Sequence, residues 1–385
     1  MWHVRQLEDS QSLSPLAGRD CLTLAEFGSE EIQLILDEAE KLKALRKSHI
    51  PFRPLSGKTL AMIFQKPSNR TRVSFEIGMY ELGGHALLLS PQEIQMGKRE
   101  TVSDTGRTLA RYTDAIMARV FGHEELEELA EAADVPVING LSDLHHPCQA
   151  LADLLTVREE FGALECVKIS YIGDGNNVAH SLALGCALTG ARLTIAHPEG
   201  YAPDPGITEL AARLGTSPTL TQDPDEGAAG AQVVYTDVWA SMGQEDEAKE
   251  RKKKFVPYQV NEELMRRAAP DAIFLHCLPA HRGEEVTARV IDGSQSRVFE
   301  QAENRLHAQK ALVYLLLSCS HLNIFGFSFR SHHLQFGAPY GLPIHALFAR
   351  HPTAEVGATI AVRRRDVRKW RARAQDGQRT LRVNE

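Results

Sequence analysis

Residues 59–82 read TLAMIFQKPSNRTRVSFEIGMYEL. Thr59 to Phe64 is an uncharged run of strand length, and it predicts a short buried strand. Val73 to Leu82 predicts a helix. The corner between them holds Ser68-Asn69-Arg70-Thr71-Arg72, which sets two guanidinium groups and two hydroxyls beside the free N–H groups of a helix's first turn. Those N–H groups and the positive end of the helix dipole make a site for an anion. Arginine adds a planar fork that matches two phosphate oxygens, where lysine offers a point charge. A lone Ser-x-Arg would read as an N-cap beside solvated arginines. The full pentapeptide directly after a strand reads as a phosphate cradle.

The strand-to-helix step repeats outward from this corner. Residues 30–47 carry Ile32, Ile35, Leu36, Ala39, Leu42 and Leu45 at helical spacing with charges between, an amphipathic helix. Strands are then predicted at Leu60–Phe64, His85–Leu89, Ala115–Arg119 and Val135–Asn139, with helices at Val73–Leu82, Val102–Tyr112 and Leu126–Ala133. A long helix over His146–Phe161 leads into a second block. Its strands are Lys168–Ile172, Arg192–Ala196, Val233–Thr236 and Ile273–His276; its helices are Val178–Thr189, Ile207–Leu214 and Glu262–Ala268. A final helix runs from about Glu303 to Ser318. This alternation predicts an α/β fold of two doubly wound parallel-sheet domains, with 146–161 as the hinge helix between them.

The chain has 385 residues, enough for two cores, and a net charge of −7, which gives no support for binding nucleic acid or a membrane surface. Its longest apolar stretch, Ala311 to Leu317, is too short to span a bilayer, and Glu8 and Asp9 argue against a secretory signal. The six cysteines (Cys21, Cys148, Cys166, Cys186, Cys277, Cys319) contain no CxxC pair and read as reduced cytoplasmic thiols, neither a disulfide frame nor a metal site. From His321 onward the text changes, with 11 Lys and Arg against 4 Asp and Glu. Residues 321–385 read as a poorly ordered basic appendage; a basic helix around Arg363–Arg371 that touches nucleic acid is the rival reading.

Strand ends of parallel sheets open onto the ligand crevice, so polar clusters there carry most weight. Five accompany the pentapeptide: Arg119; His146-Pro147-Cys148-Gln149, with Pro at the first helical position; Asp174-Gly175-Asn176-Asn177; Asp237 through Ser241-Met242-Gly243; and His276-Cys277-Leu278-Pro279. Singly each has a plain structural reading. His146 suits a cap, Cys277 a small buried apolar residue, Arg119 a solvated strand end, and Asp237 and the 174–177 stretch suit turns. The Gly-Asp-Gly turn is not a dinucleotide fingerprint, and no Ser/His/Asp set suggests a hydrolase.

Taken in chain order, and with Glu303-Asn304-Arg305 added, these motifs resemble the carbamoyltransferases, and among them the ornithine carbamoyltransferases, over roughly residues 16–320. The pentapeptide marks the superfamily; Ser241-Met242-Gly243 with His276 to Pro279 favours ornithine over aspartate. The resemblance implies carbamoyl transfer to the δ-amine of L-ornithine, giving citrulline and phosphate without metal or organic cofactor. It implies carbamoyl phosphate on Ser68, Asn69, Arg70, Thr71, Arg119, His146, Gln149 and Arg305, with Gln95 reaching a neighbouring subunit's site in a homotrimer. It implies ornithine on Asn177, Asp237, Ser241, Met242, Cys277 and Leu278, and chemistry centred on Arg119, His146, Cys277 and Arg305. It further implies a carbamoyl phosphate domain over residues 1–150, completed by the 303–320 helix, and an ornithine domain over 151–302. Two departures are visible: Asn69 stands where threonine is usual, and the chain continues past the last family helix. The rivals are another amine acceptor such as putrescine or an N-acylated ornithine, a non-catalytic regulator on the same fold, and an RNA-associated protein acting through its tail.

Overall fold

A computed structural model describes residues 14–240 and 248–318. Two all-parallel sheets organise them. In the first, β1 (Thr59–Phe64), β2 (His85–Leu89), β3 (Ala115–Arg119) and β4 (Val137–Leu141) lie in the order β2-β1-β3-β4. In the second, β5 (Lys168–Ile172), β6 (Arg192–Ala196), β7 (Thr219–Thr221), β8 (Val233–Thr236) and β9 (Ile273–His276) lie in the order β7-β6-β5-β8-β9. The order reverses between β1 and β3 in one sheet and between β5 and β8 in the other. Crossovers leave from opposite faces at those two places and open a crevice at the strands' carboxyl ends.

Helices cover both sheets, as buried parallel strands require. Among them are α1 (Ser29–Lys47), α2 (Asn69–Glu81), α3 (Pro91–Ile94), α4 (Val102–Leu109), α5 (His123–Ala132), α6 (Pro147–Phe161), α7 (Asn177–Thr189), α8 (Pro205–Leu214) and α9 (Pro224–Ala228). The helix α6 connects the first sheet to the second. Its Gly162 ends it at φ 77, in the left-handed region open to glycine. After α10 (Ala248–Phe255), α11 (Glu262–Met265) and α12 (Ala288–Ile291), α13 (Val298–Leu317) returns from the second sheet to pack on α1, α2 and α6. It is buried along nearly its whole length, polar residues included, which brings Arg305 into the interior.

All eight expected strands form, and the differences have local causes. β4 starts at Val137, two residues late, because Pro136 has no N–H for the ladder; its carbonyl instead accepts from Ile116 N at 2.8 Å. α2 starts at Asn69, ahead of Val73, because the Ser68 hydroxyl accepts from Thr71 N at 3.3 Å and caps the helix there. Asn69 to Arg72 are thus the helix's first turn. α4 stops at Leu109, α11 at Met265, and α13 begins at Val298, a turn before Glu303. β7 and α10 were not legible, the first because three edge residues hold no pattern and the second because its basic run reads as loop. The 321–385 tail and Cys319 lie outside the described residues.

Candidate active site

One cleft of about 1230 Å³ opens where the two reversals of strand order meet. Ser68, Asn69, Arg70 and Thr71 enter it from the β1–α2 corner, and Arg119 from the end of β3, where it pairs with Phe64 of β1. A bulge between Ala118 and Arg119 re-aims that strand end. Gly140 of β4 makes the bulge sterically allowed, since a Cβ there would lie 2.5 Å from Met117 Sδ. His146 is the N-cap residue of α6, its backbone N–H donating to Ser181 Oγ at 2.7 Å, and Gln149 follows one turn on. Arg305 arrives from α13.

Three guanidiniums share this end of the cleft. Arg305 donates to Gln149 Oε1 at 2.7 Å, Thr71 Oγ1 at 3.2 Å and Gln309 Oε1 at 2.9 Å. Arg70 donates across the cleft to the Leu278 carbonyl. Buried Arg119 has an Nε without a partner. These partners are neutral oxygens, so positive charge stays uncompensated. Burial, then the charges of Arg305 and Arg70, lowers Arg119 to about 10. Burial followed by Arg305, Arg119 and Arg70 pushes His146 well below the ordinary histidine range, so its imidazole is neutral, with an unpartnered Nδ1. Cations crowded at the mouth of a helix, one of them with an unspent donor, are built to meet an anion.

The opposite wall is acidic and amide-rich. Asp237, just past β8, accepts from the Cys277 thiol at 2.9 Å and from Val238 N at 2.8 Å through one oxygen, and from Asn176 Nδ2 at 2.9 Å through the other. Burial and then Asp237 raise the Cys277 thiol well above its ordinary value, so it is an S–H donor and not a thiolate. Leu278 holds φ 58, a left-handed backbone rare outside glycine. Asn177 lines the cleft and gives its amide to the Ser142 carbonyl at 2.6 Å.

Two family descriptions match the chain: "Aspartate/ornithine carbamoyltransferase, carbamoyl-P binding domain" over residues 19–159, and "Aspartate/ornithine carbamoyltransferase, Asp/Orn binding domain" over residues 165–316. The chain belongs to the aspartate/ornithine carbamoyltransferase family. It is 58% identical to the ornithine carbamoyltransferase of Thermococcus kodakarensis over 306 residues, 78% of this chain and 97% of that one. The anabolic ornithine carbamoyltransferase of Pyrococcus furiosus is 56% identical, again over 78% of this chain and 97% of the relative. Among solved structures, that of the P. furiosus enzyme superposes with a TM-score of 0.76, covering 78% of this chain and 98% of its own. The Thermus thermophilus ornithine carbamoyltransferase follows at 46% identity and a TM-score of 0.71, covering 78% of this chain and 99% of its own.

In this carbamoyltransferase chain, twelve of the fifteen residues expected from sequence line the cleft. Gln95 does not: it is exposed, at φ 44, in the turn after α3. Ser241 and Met242 lie outside the described residues. Sequence reading missed Arg251 of α10. It is buried against the cleft wall, ion-paired with Asp174, donating to the Trp239 carbonyl, and stacked 4.7 Å from the Tyr201 ring centroid. Nothing in Ala248-Lys-Glu-Arg-Lys-Lys-Lys marks that one arginine for burial. Asn176, quoted beside Asn177 but given no role, caps α7 and holds Asp237. Asp237, His276 and Cys277 come together closely enough to suggest a metal, though their spacing in sequence does not. Both His276 nitrogens are engaged, Nδ1 by Leu278 N at 2.8 Å and Nε2 by Glu285 at 3.2 Å, so this triad's donors are already committed.

Proposed function

We propose that this chain transfers the carbamoyl group of carbamoyl phosphate to the δ-amino group of L-ornithine, giving L-citrulline and phosphate. The observation that carries this is the pairing, in one cleft, of a three-arginine helix mouth with the Asp237–Cys277 wall. The phosphate sits on Ser68, Asn69, Arg70 and Thr71, where N–H groups and Arg70 face its oxygens. Arg119, Thr71 and the neutral imidazole of His146 point donors at the carbamoyl oxygen, Gln149 holds the carbamoyl amide, and Arg305 secures both ends.

The lone pair of the δ-nitrogen forms the new C–N bond, and the carbonyl electrons move to oxygen as a tetrahedral oxyanion. Preorganised donors at that oxygen commonly contribute a few kcal/mol each, about 2.7–4 in measured cases. The oxyanion then collapses, the bond to the phosphate oxygen breaks, and phosphate leaves with its electron pair. The proton shed by the amine passes to the departing phosphate, since the Cys277 thiol already carries its own. Asp237 has an unspent lone pair for the ornithine α-ammonium, and Asn177, Ser241 and Met242 take the rest of the α-group. Freed from Arg70, the Leu278 carbonyl faces the δ-amine.

The same reading makes the protein a cytoplasmic homotrimer. Among the described residues no helix is long and apolar enough to cross a membrane, and five cysteines are free. Val73, Ile77 and Tyr80 expose one apolar face of α2, and Leu87 is exposed on the edge strand β2, a face suited to a second copy with Gln95 near the shared site. A citrulline assay across amines tests the acceptor. L-ornithine should be carbamoylated, and putrescine and Nα-acetylornithine should not, because putrescine lacks the α-carboxylate and Nα-acetylornithine has no α-ammonium for Asp237. Equal turnover of putrescine would transfer the assignment to the rival acceptor.

A further inference from the structure

Two fully buried acids stand outside the mechanism: Glu285, paired with His276, and Asp153. Asp153, on α6 one turn after Gln149, is fully buried, and its carboxylate meets three neutral donors. Oδ1 accepts from Gln149 Nε2 at 2.8 Å and from Gln301 Nε2 at 2.7 Å; Oδ2 accepts from Tyr235 Oη at 3.1 Å. Burial raises its pKa to about 6, with the three hydrogen bonds working against that rise. An acid kept in so unfavourable a place needs a reason, and its partners supply one.

Together the partners lead to both walls of the cleft. The amide oxygen of Gln149 accepts from Arg305 at 2.7 Å, so Asp153 at one end and Arg305 at the other fix which way that amide faces. With its NH₂ held by a carboxylate, Gln149 presents oxygen towards the cleft, the acceptor that a carbamoyl NH₂ group requires. Gln301 accepts from His276 N at 2.9 Å, next to Cys277, and Tyr235 precedes Asp237 by two residues on β8. One carboxylate thus touches the supports of both substrate walls.

We propose that Asp153 is a positioning residue that sets the amide of Gln149 in its acceptor orientation, so that the site reads the carbamoyl group and not only the phosphate. This rests on the carbamoyl phosphate reading above. In Asp153→Leu both oxygens give way to methyl groups in a similar shape, and the Gln149 NH₂ loses the acceptor that holds it. Gln149 can then turn, and the acceptor is lost.

The test compares two ligands on the folded protein by calorimetry, carbamoyl phosphate and inorganic phosphate. Phosphate engages the Ser68–Thr71 corner but has no NH₂ group for Gln149 to read. D153L should weaken carbamoyl phosphate binding by about tenfold or more, the size of one misdirected hydrogen bond, and leave phosphate binding within about twofold. A double-mutant cycle with Gln149→Ala should be strongly non-additive. Equal weakening of both ligands would reduce Asp153 to a structural residue and overturn the proposal, as would unchanged affinity for both. If D153L does not fold, Asp153→Ser leaves room for a water beside Gln301 and Tyr235 and is judged by the same ratio. A wild-type chain that binds phosphate but not carbamoyl phosphate overturns the parent reading and this proposal together; a wild type that binds both, with a ratio unmoved in the variant, overturns this proposal alone.

Discussion

At the scale of single residues, the site depends on two titratable groups held firmly in their neutral forms. Cys277 is a protonated thiol held so by burial and then Asp237, and His146 a neutral imidazole held so by burial and then three arginines. Cys277→Ser keeps an X–H donor for Asp237, so kcat should fall by less than about tenfold, whereas a thiolate nucleophile would lose its activity outright. Arg119→Lys keeps the charge but not the fork, and kcat should drop by about 10²–10³, the usual cost of one oxyanion donor, with KM for ornithine little changed. Steady-state kinetics of the two variants checks both. At this scale the sequence was most readable, because Ser68 to Thr71, Arg119, His146 and Asp237 all stand at strand ends or helix starts. Arg251 and Asp153 were not readable: one lies in a basic run, the other inside an apolar helix, and only tertiary contacts single them out.

Among elements, the loops that follow strands carry the functional groups and tolerate little. A Cβ on Gly175, between β5 and α7, would come within 2.1 Å of the Pro203 backbone nitrogen, which cannot move aside cheaply. Gly175→Ala should therefore cost about 1–3 kcal/mol in denaturant unfolding and raise KM for ornithine, because the displaced loop carries Asn176 and Asn177. Buried histidines lie both before and within the helices. Burial lowers His145, before α6, and His307, in α13, to about 3, with His123 and His180 adding to the first and Lys310, Lys43 and Arg46 to the second. Their folded values lie below the unfolded value near 6.5, so the unfolded chain binds protons first as pH falls. Each contribution is complete above about pH 6.5 and is lost towards pH 3, about 2 kcal/mol apiece by pH 5. Asp153, raised to about 6, and Glu26, also raised by burial, work in the opposite direction against five histidines that burial lowers. Unfolding midpoints should drop between pH 7 and 5, and His307→Gln should flatten that drop; parallel curves for variant and wild type would contradict it.

At the largest scale, the described residues form two sheets of related strand order joined by α6 and locked by α13. That outline was legible in the alternation of strand and helix signals, since buried parallel strands and amphipathic helices differ in period. The packing of α13 on α1, α2 and α6 was expected from the family resemblance alone, because on pattern a single helix without a following strand can return to either sheet. The lock includes Lys43 of α1, buried with Nζ 2.7 Å from Glu159 of α6 and 2.7 Å from Asn304 of α13. Since ligand binds only the assembled cleft, carbamoyl phosphate at a hundred times its Kd should add about 2.7 kcal/mol to stability, visible as a rise in Tm. The account as a whole rests on the phosphate cradle at the β1–α2 corner, and Arg70→Ala tests it most directly. Citrulline formation from carbamoyl phosphate and L-ornithine should fall by about a hundredfold or more in kcat/KM for carbamoyl phosphate, as expected for a lost charge-assisted pair. Turnover close to that of the wild type would contradict it.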